Sequence, residues 1–381
     1  MELLLEKKTG SRRCKVMSRR ISSLEQLSSF VREIESSCVF VGVSESCLLA
    51  GSKGGELVCW SVSSGLQEWK IKFDGPCSKY DFSEGKIVFS ESNKIHAVNI
   101  YSGEILWSVD LEGSSDFVFC DKEGVWASSS VYNFEIQDYT EGSIWRINYS
   151  GEIVLRNPIK GRAWSLDGFR NSALFGLSRP NCGYGIANND GVIEYYSPDH
   201  VDSPVTVGSG DGQGVVVLGH SNGAISIISE QRVQIHEIEK SSVVSVDYLE
   251  EWVAALESGL LAVGDSLGSW SMKTENSLQS LCFGPAIEGE NGIWTFSWDG
   301  RSVIRLLDQF DGTQKIEVVH DSKVGASFGS RDYLCIGDSS GMIYLIEKEV
   351  LRRRIIEPSD ESLEDEGGRN LRRKIRRLRG G

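Results

Sequence analysis

Seven basic side chains near the C-terminus are the residues of this chain best suited to binding chemistry. Within eleven positions they are Arg369, Arg372, Arg373, Lys374, Arg376, Arg377 and Arg379. Guanidinium and ammonium groups pair with phosphate and carboxylate oxygens, and blocks of like charge often act as interaction tails. We predict that this tail contacts RNA or another polyanion, such as an acidic protein partner. The alternative interpretation is a solvated tail that folds back on an acidic body.

The spacings of histidine, cysteine and glycine indicate no local metal or phosphate site. The five histidines are His96, His200, His220, His236 and His320. None of them forms the HxH or HExxH pair of a metal site, and the chain lacks the GxxxxGK[ST] phosphate loop. We therefore predict no catalytic residue, no metal and no cofactor. Residues from distant segments can still converge in a fold, so an enzyme stays as the alternative.

The cysteines predict the cellular compartment of the protein, and the charge distribution predicts what its body repels. The nine cysteines form no CxxC pair and lie mostly in apolar segments, which favours buried reduced thiols and a cytoplasmic location. We expect neither a secretory signal nor a membrane span, because no apolar run reaches 18 residues. Residues 1–20 carry a net charge of +5 and residues 351–381 a net charge of +4. Since the whole chain is −14, the acidic body between them repels nucleic acid.

One short phrase is repeated eight times: an alternating strand, a turn and a second alternating strand. The turn residues are Gly55, Lys94, Gly142, Gly191, Gly223, Gly259, Gly300 and Gly341. Their mean spacing is about 41 residues, the length of one four-stranded propeller blade. We predict an all-β fold, a single β-propeller with eight four-stranded blades, and seven blades as the second choice.

A second set of turns marks the start of the outer strand in four blades. Each carries glycine, which tolerates the positive φ of many hairpin turns: Gly65, Gly103, Gly151 and Gly312. The predicted inner strands cover residues 39–43, 79–82, 116–119, 243–248, 278–283 and 323–328. The spacing is least regular between Gly142 and Gly223, so the strands there are the hardest to assign.

The repeat divides the chain into three parts. Residues 1–37 form a basic N-terminal segment, residues 38–350 the propeller, and residues 351–381 an acidic linker with the basic tail. Within the first part we predict a short amphipathic helix over residues 22–36, because five apolar side chains share one stripe: Leu24, Leu27, Phe30, Val31 and Ile34. The eighth blade lacks a fourth strand. We expect residues 2–6 or 14–18 to supply it, with residues 351–356 as the alternative.

The phrase LLAGSKGGELVCWSVSSGLQEW resembles a blade of WD-repeat and quinoprotein-like (PQQ-like) propellers. The spacing from Gly65 to Trp69, and from Gly103 to Trp107, is similar to the glycine–tryptophan pattern of the quinoprotein-like family. That resemblance implies that both tryptophans pack between neighbouring blades. The quinone-dependent members use adjacent cysteines, which this chain lacks. The resemblance therefore implies the scaffold without the cofactor.

These observations predict a non-enzymatic intracellular scaffold that mediates protein–protein interaction. A loop-bearing face of the ring would bind a protein partner, and the basic tail would contact RNA or an acidic partner. The alternative is an enzyme, quinone-dependent or hydrolytic, whose site is assembled at the axis of the propeller. Fold alone does not decide between them, because propellers support many activities.

Overall fold

The structure, a computed structural model, describes residues 19–179, 181–197, 203–264 and 269–356. Eight sheets, each built on four antiparallel strands and one with a fifth, parallel strand, are arranged in a ring, so the predicted all-β propeller with eight blades is confirmed. Two strands precede the first blade, β1 (Arg19–Ile21) and β2 (Phe30–Glu33). Within the described ranges, no helix is long and apolar enough to cross a bilayer.

The first four blades follow in chain order, each from its inner to its outer strand. Blade 1 contains β3 (Cys38–Ser44), β4 (Cys47–Ser52), β5 (Glu56–Ser61) and β6 (Gln67–Lys72). Blade 2 contains β7 (Cys77–Ser83), β8 (Lys86–Glu91), β9 (Lys94–Asn99) and β10 (Ile105–Asp110). Blade 3 contains β11 (Ser114–Cys120), β12 (Gly124–Asn133), β13 (Asp138–Asn148) and β14 (Ile153–Lys160). Blade 4 contains β15 (Ala163–Phe169), β16 (Ser172–Leu177), β17 (Gly183–Ala187) and β18 (Ile193–Tyr196).

The last four blades complete the ring, and a helix follows them. Blade 5 contains β19 (Val205–Gly210), β20 (Val216–His220), β21 (Ala224–Ile228) and β22 (Val233–Glu237). Blade 6 contains β23 (Val243–Tyr248), β24 (Trp252–Leu256), β25 (Leu260–Gly264) and β26 (Ser269–Lys273). Blade 7 contains β27 (Leu278–Pro285), β28 (Asn291–Trp298), β29 (Ser302–Asp308) and β30 (Gln314–His320). Blade 8 contains β31 (Val324–Gly329), β32 (Tyr333–Asp338) and β33 (Met342–Glu347), followed by α1 (Lys348–Ile356).

The N-terminal segment closes the ring by strand pairing. β2 pairs antiparallel with β33, in the register Phe30 opposite Leu345, and becomes the outer strand of blade 8. β1 adds a fifth, parallel strand to the outer edge of blade 7. Closure therefore comes from the N-terminal side, although residues 2–6 and 14–18 lie outside the described residues.

The predicted amphipathic helix over residues 22–36 is wrong. Residues 24–26 form a single 3-10 turn, and the second half of the predicted helix is the strand β2. The free edge of β33 can form hydrogen bonds with this segment, whereas a short isolated helix is only marginally stable in water. Pairing with the sheet is therefore more stable than the helix that the local periodicity predicted. A helix does form at residues 348–356, where a closing strand was the alternative expectation.

Two turn assignments in the irregular region are also wrong. Gly142 lies inside β13 and not in a turn, because β12 and β13 extend further and turn at residues 134–137. Gly191, with φ of +80°, joins the third and fourth strands of blade 4 and not the second and third. Lys94 begins β9, immediately after the turn it was assigned to. The other five turn glycines lie between second and third strands as predicted.

The predicted packing of Trp69 and Trp107 between blades is confirmed. Trp69 Nε1 donates a hydrogen bond to the carbonyl oxygen of Ile100 at 2.8 Å, and its ring lies against Gly103, where a Cβ atom would be 2.8 Å away. Trp107 repeats the arrangement with Tyr149 at 3.1 Å. Between blades 8 and 1, Arg32 takes the place of the tryptophan and donates from Nε to the carbonyl oxygen of Gly65 at 2.6 Å. Each junction thus joins an outer strand to the next blade.

Candidate functional site

The antiparallel blades give the ring two different faces. The turns between second and third strands emerge on one face, here called the hairpin face. The turns between first and second strands emerge on the other, together with those between third and fourth strands and α1. This second face is here called the helix face. Exposed loops of a rigid scaffold are where binding residues concentrate.

The longest hairpin of the ring projects from the hairpin face at blade 3. Its strands β12 and β13 are 10 and 11 residues long, against 8 or fewer for every other strand that the structure describes. Asn133 shapes the turn, because its Oδ1 accepts a hydrogen bond from the backbone N–H of Glu135 at 2.9 Å. Gln137 then adopts a φ of +55°. The insertion therefore presents a defined turn to solvent.

This hairpin exposes a cluster of apolar and aromatic side chains. Phe134 is 84% exposed and Ile136 is 61% exposed. The ring of Tyr132 packs edge-on against Phe134 and Tyr139, with 5.1 Å between centroids in both pairs. Tyr139 in turn packs against Trp164 at the start of β15, at 6.3 Å. Tyr132, Phe134, Ile136, Tyr139 and Trp164 are here called the aromatic hairpin surface.

Arg162 holds the base of the aromatic hairpin surface in place. Its guanidinium carbon lies 4.9 Å from the ring centroids of both Tyr139 and Trp164. Nη1 donates to Tyr139 Oη at 2.9 Å, and Nη2 forms an ion pair with Asp116 Oδ1 at 2.8 Å. Burial raises the pKa of Asp116, and the charge of Arg162 partly opposes that rise. Blades 3 and 4 are thereby joined, and the exposed rings stand on a rigid support.

The chemistry of the aromatic hairpin surface suits protein recognition. Tyrosine, tryptophan and arginine dominate the residues that carry binding energy at protein interfaces. Exposed carboxylates flank the apolar centre, on Glu135, Asp138 and Glu141. A partner that fits would present an apolar centre with basic residues around it. The sequence did not predict this cluster, although the greater length of the repeat between residues 125 and 147 indicated an insertion there.

The axis of the ring contains a second concentration of polar groups. One cavity of about 370 Å³ is lined by Lys79, Asp81, Asp167 and Asp211 among others, and a neighbouring one of about 480 Å³ by inner strands of blades 1, 2, 6, 7 and 8. Lys79 Nζ lies 5.6 Å from the ring centroid of Phe117. Its side chain is exposed to the channel, and partial desolvation by the protein around the channel lowers its pKa.

Three carboxylates of the channel tie adjacent blades together. Asp81 Oδ2 accepts a hydrogen bond from the backbone N–H of Cys120 at 2.7 Å, and Asp247 Oδ2 accepts one from Phe283 at 2.9 Å. Asp167 interacts with the backbone N–H of Gly210, while its Oδ2 is buried without a hydrogen-bond partner among the described residues. Burial raises the pKa of Asp81 to about 6 and that of Asp167 to about 7, with the charge of Asp81 adding to the latter shift. Each pair bridges the inner strands of blades 2–3, 4–5 or 6–7.

Two of the channel carboxylates are engaged mainly with the protein backbone. Asp81 and Asp247 each accept hydrogen bonds from the free backbone edge of the next inner strand, and Ser209 Oγ donates to Asp247 Oδ1 at 3.4 Å. The sequence lacks the adjacent cysteines of the quinone-dependent propellers, and no two described cysteines form a disulfide. Within the described ranges, no group of three or more His, Cys, Asp or Glu is placed to hold a metal.

Two pentapeptides match the GxSxG pattern of serine hydrolases, at residues 219–223 and 337–341. Both form turns between a second and a third strand, whereas the hydrolase nucleophile occupies a turn from a strand into a helix. In the second, Asp338 accepts hydrogen bonds from His320 Nε2 at 2.8 Å and from Ser340 Oγ at 2.7 Å. The aspartate therefore stabilises its own turn through Ser340, whereas the central serine of the pattern is Ser339. In the first pentapeptide the central serine, Ser221, shares a hydrogen bond with Ser203 at 2.9 Å between the two Oγ atoms.

The seven basic residues predicted as a binding tail all lie outside the described residues: Arg369, Arg372, Arg373, Lys374, Arg376, Arg377 and Arg379. Their role stays a prediction. The described body is rich in acidic side chains, as the charge distribution indicated.

Comparison with known proteins supports the propeller fold and its quinoprotein-like character. A model of the family described as outer membrane protein assembly factor BamB matches residues 4–167, less than half of the chain. The crystal structure of BamB from Moraxella catarrhalis is similar with a TM-score of 0.60 at 13% identity, covering 84% of this chain and 99% of that one. The predicted resemblance to quinoprotein-like propellers is thereby confirmed.

Two further solved structures share the architecture. Saccharomyces cerevisiae Sqt1 is similar with a TM-score of 0.69 at 12% identity, covering 86% of this chain and 99% of that one. The computationally designed Ika8 protein is similar with a TM-score of 0.68 at 15% identity, covering 83% of this chain and 98% of that one. No curated protein matches the chain. Identities this low indicate a common fold and not a common activity.

Proposed function

We propose that this propeller is a non-enzymatic intracellular scaffold that binds a protein partner through the aromatic hairpin surface. One observation carries the proposal: Phe134 and Ile136 are largely exposed on a hairpin that is longer than any other in the described ring. Exposing apolar side chains to water on a projecting turn is unfavourable in free energy. Burying them against a partner is therefore favourable. The rigid support from Arg162 reduces the entropy that binding would otherwise lose.

The comparisons are consistent with this proposal. The BamB family is described as an assembly factor, a protein that acts together with other proteins. From this description we infer only that the present protein associates with a protein partner. We infer neither a particular partner nor a compartment from it. We favour a scaffold over an enzyme with a site at the axis because of the channel carboxylates. Their raised pKa values and their hydrogen bonds are explained by their position between neighbouring blades.

The first test replaces the exposed apolar pair. Phe134→Ser together with Ile136→Ser should weaken partner binding by about tenfold or more, roughly 1.4 kcal/mol, because truncating central anchors of an interface has effects of this size. The partner is obtained by affinity purification from the source cells, and equilibrium affinities are then measured for each variant. Unfolding should be almost unchanged, since both side chains are exposed.

Leu66→Ser is the matched control, because Leu66 is 67% exposed in a turn of the helix face and lies outside the aromatic hairpin surface. It should leave the affinity within twofold of the unmodified protein. An equal loss from both replacements would show that the aromatic hairpin surface is not the binding site.

We further propose that the basic tail contacts RNA or an acidic partner. A chain that ends at residue 368 should lose most of its affinity for RNA. The affinity of the full chain should fall steeply as salt rises, because each phosphate contact releases a counterion. Fluorescence titrations of labelled RNA at several salt concentrations measure both effects. Equal affinities for the two chains, without a salt dependence, would remove this part of the proposal.

A further inference from the structure

An acidic groove with an apolar floor crosses the helix face beside α1. It is a cavity of about 290 Å³ between blades 6 and 7, lined among others by Leu249, Glu250, Glu290 and Phe310. Leu249 is 48% exposed and Phe310 is 74% exposed, so the floor is open to water. Ile287 and Glu288 extend the same groove on the far side of Phe310. These residues are here called the acidic groove.

The charge of the acidic groove is only partly neutralised by its neighbours. Glu290 forms an ion pair with Arg331. Lys315, which lines the groove beside Glu288, forms an ion pair with Asp308 at 3.3 Å. Glu250 and Glu288 are exposed and form no ion pair with any described residue. An open apolar floor between carboxylates is suited to a segment that combines apolar and basic side chains.

The chain itself contains such a segment close by. The loop at residues 286–290 forms one wall of the groove, and α1 lies against the same loop. Lys348 Nζ donates to the carbonyl oxygen of Glu290 at 2.8 Å, and Arg352 Nη2 donates to that of Gly289 at 2.8 Å. The helix rises about 1.5 Å per residue, so its nine residues keep its end within about 13 Å of this contact.

Residues 357–381 follow α1 directly and can reach the groove. Twelve residues, 357–368, separate α1 from the basic tail and span up to about 40 Å when extended. Six of them are acidic, so the groove repels this linker and leaves residues 369–381 as the first segment of complementary charge. In that segment Leu371, Ile375 and Leu378 recur at the spacing of one helical stripe among the seven basic residues. A tether of this length raises the local concentration of the tail to about the millimolar range.

We propose that the basic tail, residues 369–381, docks in the acidic groove of its own chain. Leu371, Ile375 and Leu378 cover Leu249 and Phe310, and the basic side chains pair with Glu250 and Glu288. This inference is independent of the partner proposed for the aromatic hairpin surface. RNA or an acidic partner would compete with the groove for the same tail.

Hydrogen exchange of the intact protein tests the docking. Backbone amides of residues 286–291 and 309–311 should exchange at least threefold more slowly in the full chain than in a chain ending at residue 368. A synthetic peptide of residues 369–381, added to the shortened chain, should restore the slower exchange. The peptide should also bind with an affinity that falls as salt rises.

A charge-reversal pair locates the site. Glu250→Lys with Glu288→Lys should weaken peptide binding at least tenfold. The control, Glu257→Lys with Glu275→Lys, makes the same change in charge at exposed carboxylates on the hairpin face and should leave binding within twofold. Equal weakening by both pairs would overturn the proposal, because it would indicate attraction to the acidic body as a whole. Absence of peptide binding and of any exchange difference, expected if the tail binds only RNA, would overturn it as well.

Discussion

Asp167→Asn should make the protein more stable than the unmodified chain at pH 8, while the two are nearly equal at pH 4. Burial and the charge of Asp81 raise the pKa of Asp167 from 3.8 to about 7. The folded state therefore holds this proton more tightly than the unfolded state. The stability that follows is fully present below pH 3.8 and is lost as the pH rises through 7.

The asparagine variant does not undergo this loss, because it stays neutral at every pH and keeps an oxygen that can accept the hydrogen bond from Gly210. The full shift corresponds to about 4 kcal/mol, and contact with water in the channel reduces the expected difference to about 2 kcal/mol. Urea unfolding at pH values from 4 to 8 measures the difference. A gap that does not widen with pH would show that Asp167 is ionised in the folded state without penalty.

Asp211→Asn is the matched control in the same channel and should have the opposite sign. Burial would raise the pKa of Asp211, but hydrogen bonds from the backbone N–H groups of Val215, Gly214 and Gln213 outweigh it and lower the pKa. Its stabilising contribution is therefore present above pH 3.8 and is lost as the pH falls. Because Asp211 is exposed and solvent screens its charge, we expect Asp211→Asn to lose less than about 1 kcal/mol at pH 8 and to approach the unmodified chain in acid.

Leu24→Ala combined with Leu27→Ala should abolish most of the stability of the ring. Both side chains are buried, at 0% and 1% exposure, and pack with Trp294, Leu351 and Ile355. Each replacement of a buried leucine by alanine lowers the free energy of unfolding by about 2–5 kcal/mol. The pair therefore removes an amount comparable to the whole stability of a typical domain, about 5–15 kcal/mol. The physical reason is that these residues fasten β2, the strand that closes the ring, to blades 7 and 8.

Urea unfolding followed by tryptophan fluorescence measures this loss. Leu66→Ala is the control, because Leu66 is 67% exposed in a turn of blade 1, and it should change the free energy of unfolding by less than about 0.5 kcal/mol. A double variant within 1 kcal/mol of the unmodified chain would mean that the closing segment is dispensable for the fold.

Local sequence was sufficient for the parts of the fold that repeat. The turn residues Gly55, Gly223, Gly259 and Gly341 have φ between +85° and +92°, a conformation in which a side chain is strained, so their spacing reports the blades directly. The docked tryptophans were also predictable, because the glycine beneath each ring is the turn glycine of the following blade, Gly103 for Trp69 and Gly151 for Trp107.

The functional features depend on contacts between blades, which the sequence does not encode locally. The aromatic hairpin surface joins Tyr139 of blade 3 to Trp164 of blade 4, and each channel carboxylate binds the backbone of the following blade. Sequence spacing predicted that consecutive blades are neighbours, but not which of these side chains meet across a junction. The two residues of each such contact are 25 to 43 positions apart in the sequence, and the spacing of the repeat does not identify them.

The chain by itself therefore determined the architecture: its period of about 41 residues requires many sheets that bury their faces only against each other. Tertiary structure alone decided how the ring closes and what it exposes. Residues 30–33 have the spacing of a helix but become a strand, because the unpaired edge of β33 offers them hydrogen bonds that no local pattern reveals. The exposure of Phe134 and Ile136 is likewise a property of the folded ring, since only there does the blade 3 hairpin extend beyond its neighbours.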